Sequence, residues 1–288
     1  MAVDILQEKI RKTKNPSMVE LGLSLSDLPP QFEKSAAGYG AFCRELLEGL
    51  KGIVPAVRFS FASFALLGSE GMEQLMQSMK TASELGYYVV MDAPEISSPA
   101  AAKMIADLVW GEGSGYACDA LVISGYAGSD VIKPFLSCCK DGKKDIFVVT
   151  RTANKSASEI QDLLAGSRTV HLAVADHVNR YGADTAGKYG YTRVALLAAA
   201  SSADSLRNLR SKYPKLFLLV DGYDYPNANA KNCSFAFDKF GHGAVACAGT
   251  SVTSAWKQAE SDGSDWLEQS KTAAERMKKN LGRYITIL

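Results

Sequence analysis

The sequence predicts an α/β fold, a single (β/α)8 TIM barrel with an N-terminal helix and a C-terminal closing helix, on three observations. Eight short apolar runs recur along the chain, and helical periodicity follows each of them. Most of these runs are continuous rather than alternating, as strands covered on both faces require. The length, 288 residues, suits eight strand–helix units, for which about 250 residues is typical.

Met1 to Asn15 predicts a charged amphipathic helix with Ile5, Leu6 and Ile10 on one side, without the apolar centre of a signal peptide. The predicted strands are Met18–Leu23, Ala56–Phe61, Tyr87–Met91, Ala120–Ser124, Asp145–Thr150, Val194–Ala198, Leu216–Val220 and Gly243–Cys247. Helical patterns lie between them at Phe42–Ile53, Met72–Leu85, Ala100–Trp110, Ser129–Cys139, Glu159–Leu164, Leu172–Tyr189, Ser202–Tyr213 and Cys233–Phe237, and Ser264–Leu281 closes the chain. A doubly wound dinucleotide sheet is the structural competitor. It needs a GxGxxG turn after its first strand, which Leu23-Ser-Leu-Ser-Asp27 does not provide. No low-complexity segment or linker stands out, so residues 1–288 read as one domain.

Composition narrows the function classes. Hydrophobic residues make up 47% of the chain, ample for a sizeable core. Lys plus Arg is 32 and Asp plus Glu is 31, so no bulk charge draws the chain to nucleic acid or a membrane surface. No apolar run reaches the roughly 20 residues of a spanning helix. The six cysteines form no CxxC pair and read as buried thiols in a reducing cytoplasm. His171, His177 and His242 have no carboxylate or cysteine at metal-ligand spacing, so neither a metal nor a cofactor is expected.

In a barrel the ends of the eight strands converge on one mouth. They carry Ser24, Arg58, Asp92 to Ser97, Ser124, Arg151 with Thr152 and Asn154, Ser201, Asp221 to Tyr225, and Gly249 to Ser251. Asp92 reads in two ways: as an acid of a working site, or as a structural group that caps the next turn or pairs with Arg58 across the mouth. Glu95 is the one other carboxylate close by in sequence. Gly222 and Gly249 follow strands seven and eight, where backbone N–H groups commonly hold phosphate, although glycine is also an ordinary turn residue. Cys247 is expected near the end of strand eight, facing the interior, with no base to activate it.

Over almost the whole chain these segments resemble orotidine 5'-phosphate decarboxylase, in its longer bacterial subgroup. Ile5-Leu-Gln-Glu-Lys-Ile-Arg-Lys-Thr-Lys-Asn-Pro16 is similar to that group's N-terminal helix, and Val54-Pro-Ala-Val-Arg58 to its second strand. Gly128-Ser-Asp-Val-Ile-Lys-Pro-Phe135, Thr152-Ala-Asn-Lys-Ser156, Tyr189-Gly-Tyr191 and Val220 to Tyr223 follow in the same order and spacing. The resemblance implies a carboxy-lyase that converts orotidine monophosphate to UMP in pyrimidine biosynthesis. It implies a small anionic pyrimidine nucleotide as ligand, and a dimer that closes over the active-site mouth.

The family's machinery, as the resemblance implies it, is a lysine after strand two and an Asp-x-Lys-x-x-Asp motif after strand three. Here the first Asp is Asp92, the motif lysine falls on Pro94, the second Asp on Ser97, and the strand-two lysine on Arg58. The Asp after strand one falls on Ser24. Proline offers no charge and no proton, and arginine does not readily exchange one. The family's phosphate-binding glutamine and arginine fall on Pro226 and Thr250, with Asp221 and Asp224 adding negative charge beside them. The expected site is therefore Asp92 and Arg58, with Thr152, Asn154, Gly222, Tyr223, Gly249 and Thr250 around a ligand. Weak or absent decarboxylation is expected. The alternatives are a non-catalytic partner subunit, as homodimer or with an active paralogue, and a different small-ligand enzyme on the same barrel.

Overall fold

A computed structural model describes residues 2–94 and 96–288. Helix α1 (Ala2–Thr13) precedes β1 (Ser17–Leu21), then α2 (Ala36–Leu50), β2 (Ala56–Phe59), α3 (Phe61–Ala65), α4 (Gly68–Glu84), β3 (Tyr88–Asp92) and α5 (Pro99–Trp110). The middle of the chain forms β4 (Ala120–Ser124), α6 (Leu136–Lys140), β5 (Asp145–Arg151), a small hairpin of β6 (Leu164–Ala165) and β7 (Arg168–Thr169), and α7 (Val170–Gly182). Then come β8 (Thr192–Ala199), α8 (Ala203–Lys212), β9 (Leu216–Asp221), α9 (Ala230–Ser234), β10 (Ala244–Ala248), α10 (Thr250–Thr253), α11 (Ala255–Gln258) and α12 (Trp266–Gly282). The eight long strands close into a parallel barrel in the order β1-β10-β9-β8-β5-β4-β3-β2.

Side chains alternate across each strand, and the two faces meet different partners. One face packs outward under the helices: Val19, Leu21, Val57, Phe59, Val89 and Met91 belong to a large cluster with α2, α4 and α5. The other fills the barrel with Met18, Ala56, Tyr88, Val90, Phe147, Leu197, Phe217, Leu219 and Val245. Both faces are dry, which is why the runs read as continuous. Val3, Leu6 and Ile10 of α1 join the interior cluster and plug the floor of the barrel. Burying three such side chains removes apolar area worth about 1.5–3 kcal/mol each.

All eight expected strands form, each with ends within two residues of the expectation. The helices differ more. The expected helix Ser129–Cys139 is split into 3-10 turns at Ser129–Val131 and Lys133–Phe135 before α6, because Pro134 supplies no N–H to a continuous ladder. The expected helix Glu159–Leu164 is absent. A 3-10 turn at Lys155–Glu159 runs into the β6–β7 hairpin. Its local pattern is overridden by contacts elsewhere: Gln161 Oε1 accepts from Thr152 N at 2.8 Å, and Arg151 Nε and Nη2 grip Asp162 at 2.9 and 3.0 Å. Helix α7 stops at Gly182 rather than Tyr189, and α2 begins at Ala36, capped by Ser35, whose side chain accepts from Gly38 N. Gly40 hides that earlier start in sequence; its bare α-carbon lies against the Gln74 side chain. Among the described residues no helix is long and apolar enough to cross a membrane.

Candidate functional site

The alternation that fills the barrel also builds its mouth. Two residues beyond Met18, Ala56, Val90, Leu219 and Val245 stand Glu20, Arg58, Asp92, Asp221 and Cys247, the last inward layer before the strands end. Register places Glu20 beside Arg58 on neighbouring strands. Arg58 is only 8% exposed. Its Nε donates to Asp92 Oδ1 at 2.7 Å, Nη2 to Asp92 Oδ2 at 3.1 Å, and Nη1 to Asp221 Oδ1 at 2.6 Å. Glu20 Oε2 lies 3.7 Å from Nη1. A fork held this way is fixed in direction as well as charge.

Three carboxylates around one guanidinium leave the layer net negative, and ionisation responds. Burial pushes Glu20 up to about 7. Arg58 opposes this, while Asp92, Asp221 and Asp224 add to it. Burial also lifts Asp92, against the pull of Arg58. Burial works against the Arg58 charge too, but Asp92, Asp221 and Glu20 outweigh it and hold the guanidinium protonated. The Cys247 thiol is pushed well above its ordinary range by burial, so it is no thiolate at neutral pH.

Above this layer lies a cleft of about 450 Å³, walled by Gly22, Leu23, Tyr225, Pro226, Thr250 and Thr253. Its volume is that of a small-molecule site. At its far end Asp224 reaches the turn after β10. Asp224 Oδ2 accepts from Gly249 N at 2.6 Å and from Ser251 N at 3.2 Å, and Oδ1 accepts from the Ser251 hydroxyl. The loop that carries Asp224 turns on Gly222, whose φ of +72° suits glycine and whose bare α-carbon lies under the Tyr225 ring.

Donor atoms of Glu20, Asp221 and Cys247 lie within 4.8 Å of one another. Arg58 already supplies positive charge at that point, hydrogen-bonded to Asp221 at 2.6 Å.

Of the residues the sequence singled out, Asp92, Arg58, Gly222, Gly249 and Thr250 come together at the mouth. The pairing of Asp92 with Arg58 is observed. Pro94 lines an adjoining groove with Phe61, Ala65 and Leu66, and Ser97 is exposed. Ser24 is turned to its own loop, donating to Asp27 Oδ2 at 2.8 Å. Thr152 and Asn154 bond each other and do not wall the cleft, though Ala153 between them packs on Gly222. Tyr223 lines a separate cleft with Lys231, Asn280 and Arg283. Glu95 lies outside the described residues. Glu20 was not singled out, although a lone acid in an otherwise apolar strand run is a visible signal.

No protein-family model matches the chain. Similarity to known proteins is nonetheless extensive. The chain is 29% identical to an orotidine 5'-phosphate decarboxylase of Rhodopirellula baltica, covering 96% of this chain and 97% of that one. It is 26% identical to one of Clostridium perfringens, covering 98% of each. Among solved structures, an OMP decarboxylase of Leishmania donovani superposes with a TM-score of 0.77 at 22% identity, covering 99% of this chain and 98% of that one. An orotidine 5'-monophosphate decarboxylase of Plasmodium berghei does so with a TM-score of 0.77 at 12% identity, covering 98% of each.

Proposed function

We propose that the chain, similar along nearly its whole length to orotidine 5'-phosphate decarboxylases, is a member of that family that does not decarboxylate orotidine monophosphate, its mouth serving a ligand of other chemistry. One observation carries this reading: the Arg58 guanidinium is held between Asp92 and Asp221 at 2.6–2.7 Å. Removal of the substrate carboxyl would leave electron density on the ring carbon, which must be met by a positioned cation able to give up a proton. Arg58 is the cation in this layer. It is neutralised by its carboxylates and kept protonated by them. The expected lysine position, Pro94, offers no N–H at all.

Losing one preorganised group of this kind costs about 10²–10³-fold in rate, and both the charge and the proton are missing. Purified protein incubated with orotidine monophosphate is expected to show loss of the substrate's absorbance no faster than the uncatalysed background. Turnover of about 1 s⁻¹ or more, an ordinary enzymatic rate, would overturn the proposal. Glu20 supports a second reading, acid–base chemistry on another ligand: its carboxyl, pushed to about 7 by burial, exchanges a proton near neutrality beside the cleft.

A further inference from the structure

The cleft has two ends with different electrostatics. At the floor, Arg58 is bound up with Asp92 and Asp221. At the far end, where barrel loops after the last two strands commonly hold phosphate, Gly249 and Asp224 line the cleft, and three donors of the turn after β10 meet there: the N–H groups of Gly249 and Ser251 and the Ser251 hydroxyl. All three donate to one side chain, Asp224, and both of its oxygens are used. A carboxylate accepting backbone N–H bonds at a turn makes the same contacts an anionic ligand would make.

The space over Gly249 shows how little room for another anion is left. A Cβ built there would lie 3.5 Å from Asp224 Oδ2 and 4.0 Å from Glu20 Oε2. A phosphate oxygen brought to the same place would face two carboxylates at contact distance. Like charges a few ångströms apart repel by kcal/mol amounts when partly desolvated. Among the described residues walling the cleft, Arg58 is the cation that could compensate, and it is already engaged.

We infer that Asp224 is a specificity-determining residue: its carboxylate occupies, from within the chain, the Gly249 N–H at this end of the cleft and sets negative charge there, so that the cleft takes ligands lacking a phosphate. This deepens the functional proposal above and rests on it in taking the mouth cleft as the ligand site. The ligand class is an uncharged, hydroxylated molecule such as a nucleoside. Glu20 and Asp221 offer hydroxyl-accepting oxygens, and the cleft volume of about 450 Å³ is adequate for it.

The test titrates inorganic phosphate, UMP and uridine into the wild type, Asp224→Ala and Asp224→Asn, with cooperative thermal unfolding as the control for folding. The wild type should bind UMP no more tightly than uridine. Asp224→Ala should gain affinity for phosphate and UMP by roughly 10- to 100-fold, the range of a few hydrogen bonds to a charged group, with uridine unchanged. Asp224→Asn keeps an acceptor on the amides but drops the charge, and should show a smaller gain. Should the alanine variant not fold, the asparagine variant decides alone. Tighter binding of UMP than uridine by the wild type, no gain in a folded variant, or an equal gain for uridine would each overturn the inference. Turnover of orotidine monophosphate by the wild type would instead sink the functional proposal, so the two failures are separable.

Discussion

Replacing Arg58 by methionine tests whether the mouth is held by one charge. The substitution keeps a long apolar stem and removes the guanidinium, leaving Asp92, Asp221 and Glu20 facing one another with no counter-charge in the layer. Each short contact, 2.7 Å to Asp92 and 2.6 Å to Asp221, has a gross Coulomb energy of about 6 kcal/mol at an effective dielectric constant near 20. Desolvation of the guanidinium offsets much of that sum, and removing one partner of a buried pair typically costs about 3–5 kcal/mol. We expect that loss for Arg58→Met at pH 8. At pH 5 the orphaned carboxyls take up protons, Glu20 first because it already titrates at about 7, and the loss should shrink to about 1–2 kcal/mol. Urea unfolding followed by circular dichroism at the two pH values measures both. An equal loss at pH 5 and pH 8, or less than about 1 kcal/mol at pH 8, would refute the single-charge account.

Glu20→Gln should flatten the pH dependence of stability. The folded-state pKa of Glu20, about 7, lies above its ordinary value of 4.5, so its contribution is fully present below about 4.5 and is lost as pH rises through 7. The shift corresponds to about 3 kcal/mol, discounted to about 1–2 because the side chain is 28% exposed. Melting temperatures of variant and wild type that run parallel from pH 5 to 8 would count against this assignment. Ser98→Ala, at the start of α5, removes an N-cap that accepts from Ala101 N at 3.2 Å. It should cost about 1 kcal/mol in urea unfolding, and an unchanged midpoint would show the cap to be idle.

The barrel was legible because its strands are buried on both faces. A run such as Tyr88-Val-Val-Met has no polar position to confuse it with a surface strand. The Asp92–Arg58 pair was legible as one of two alternatives, since alternation along β2 and β3 sends both side chains inward. Glu20 obeys the same alternation from Met18 and could have been read by counting in twos. The contact between Asp224 and the Gly249 turn could not: it joins segments 25 residues apart, through a loop whose path depends on Gly222. The failure at Glu159–Leu164 has the same origin. Arg151 and Thr152, on and just after β5, claim Asp162 and Gln161, and a short segment's helical preference is worth less than those fixed hydrogen bonds.

Helix α1, finally, takes several of its polar partners from far later in the chain. Arg11 Nε donates to Leu288 O at 3.1 Å, Gln7 Oε1 accepts from Gly243 N at 2.9 Å, and Asp4 meets Arg193. Helix α1 thus completes its polar contacts only when β10 and residue 288 are in place. Closing contacts over so long a span carries a loop-closure cost that local contacts do not. A segment of 12 residues, too short to be a stable helix alone, therefore owes its order to the ring it closes, and by joining early strands to late ones it makes the cohesion of the floor a property of the whole circuit.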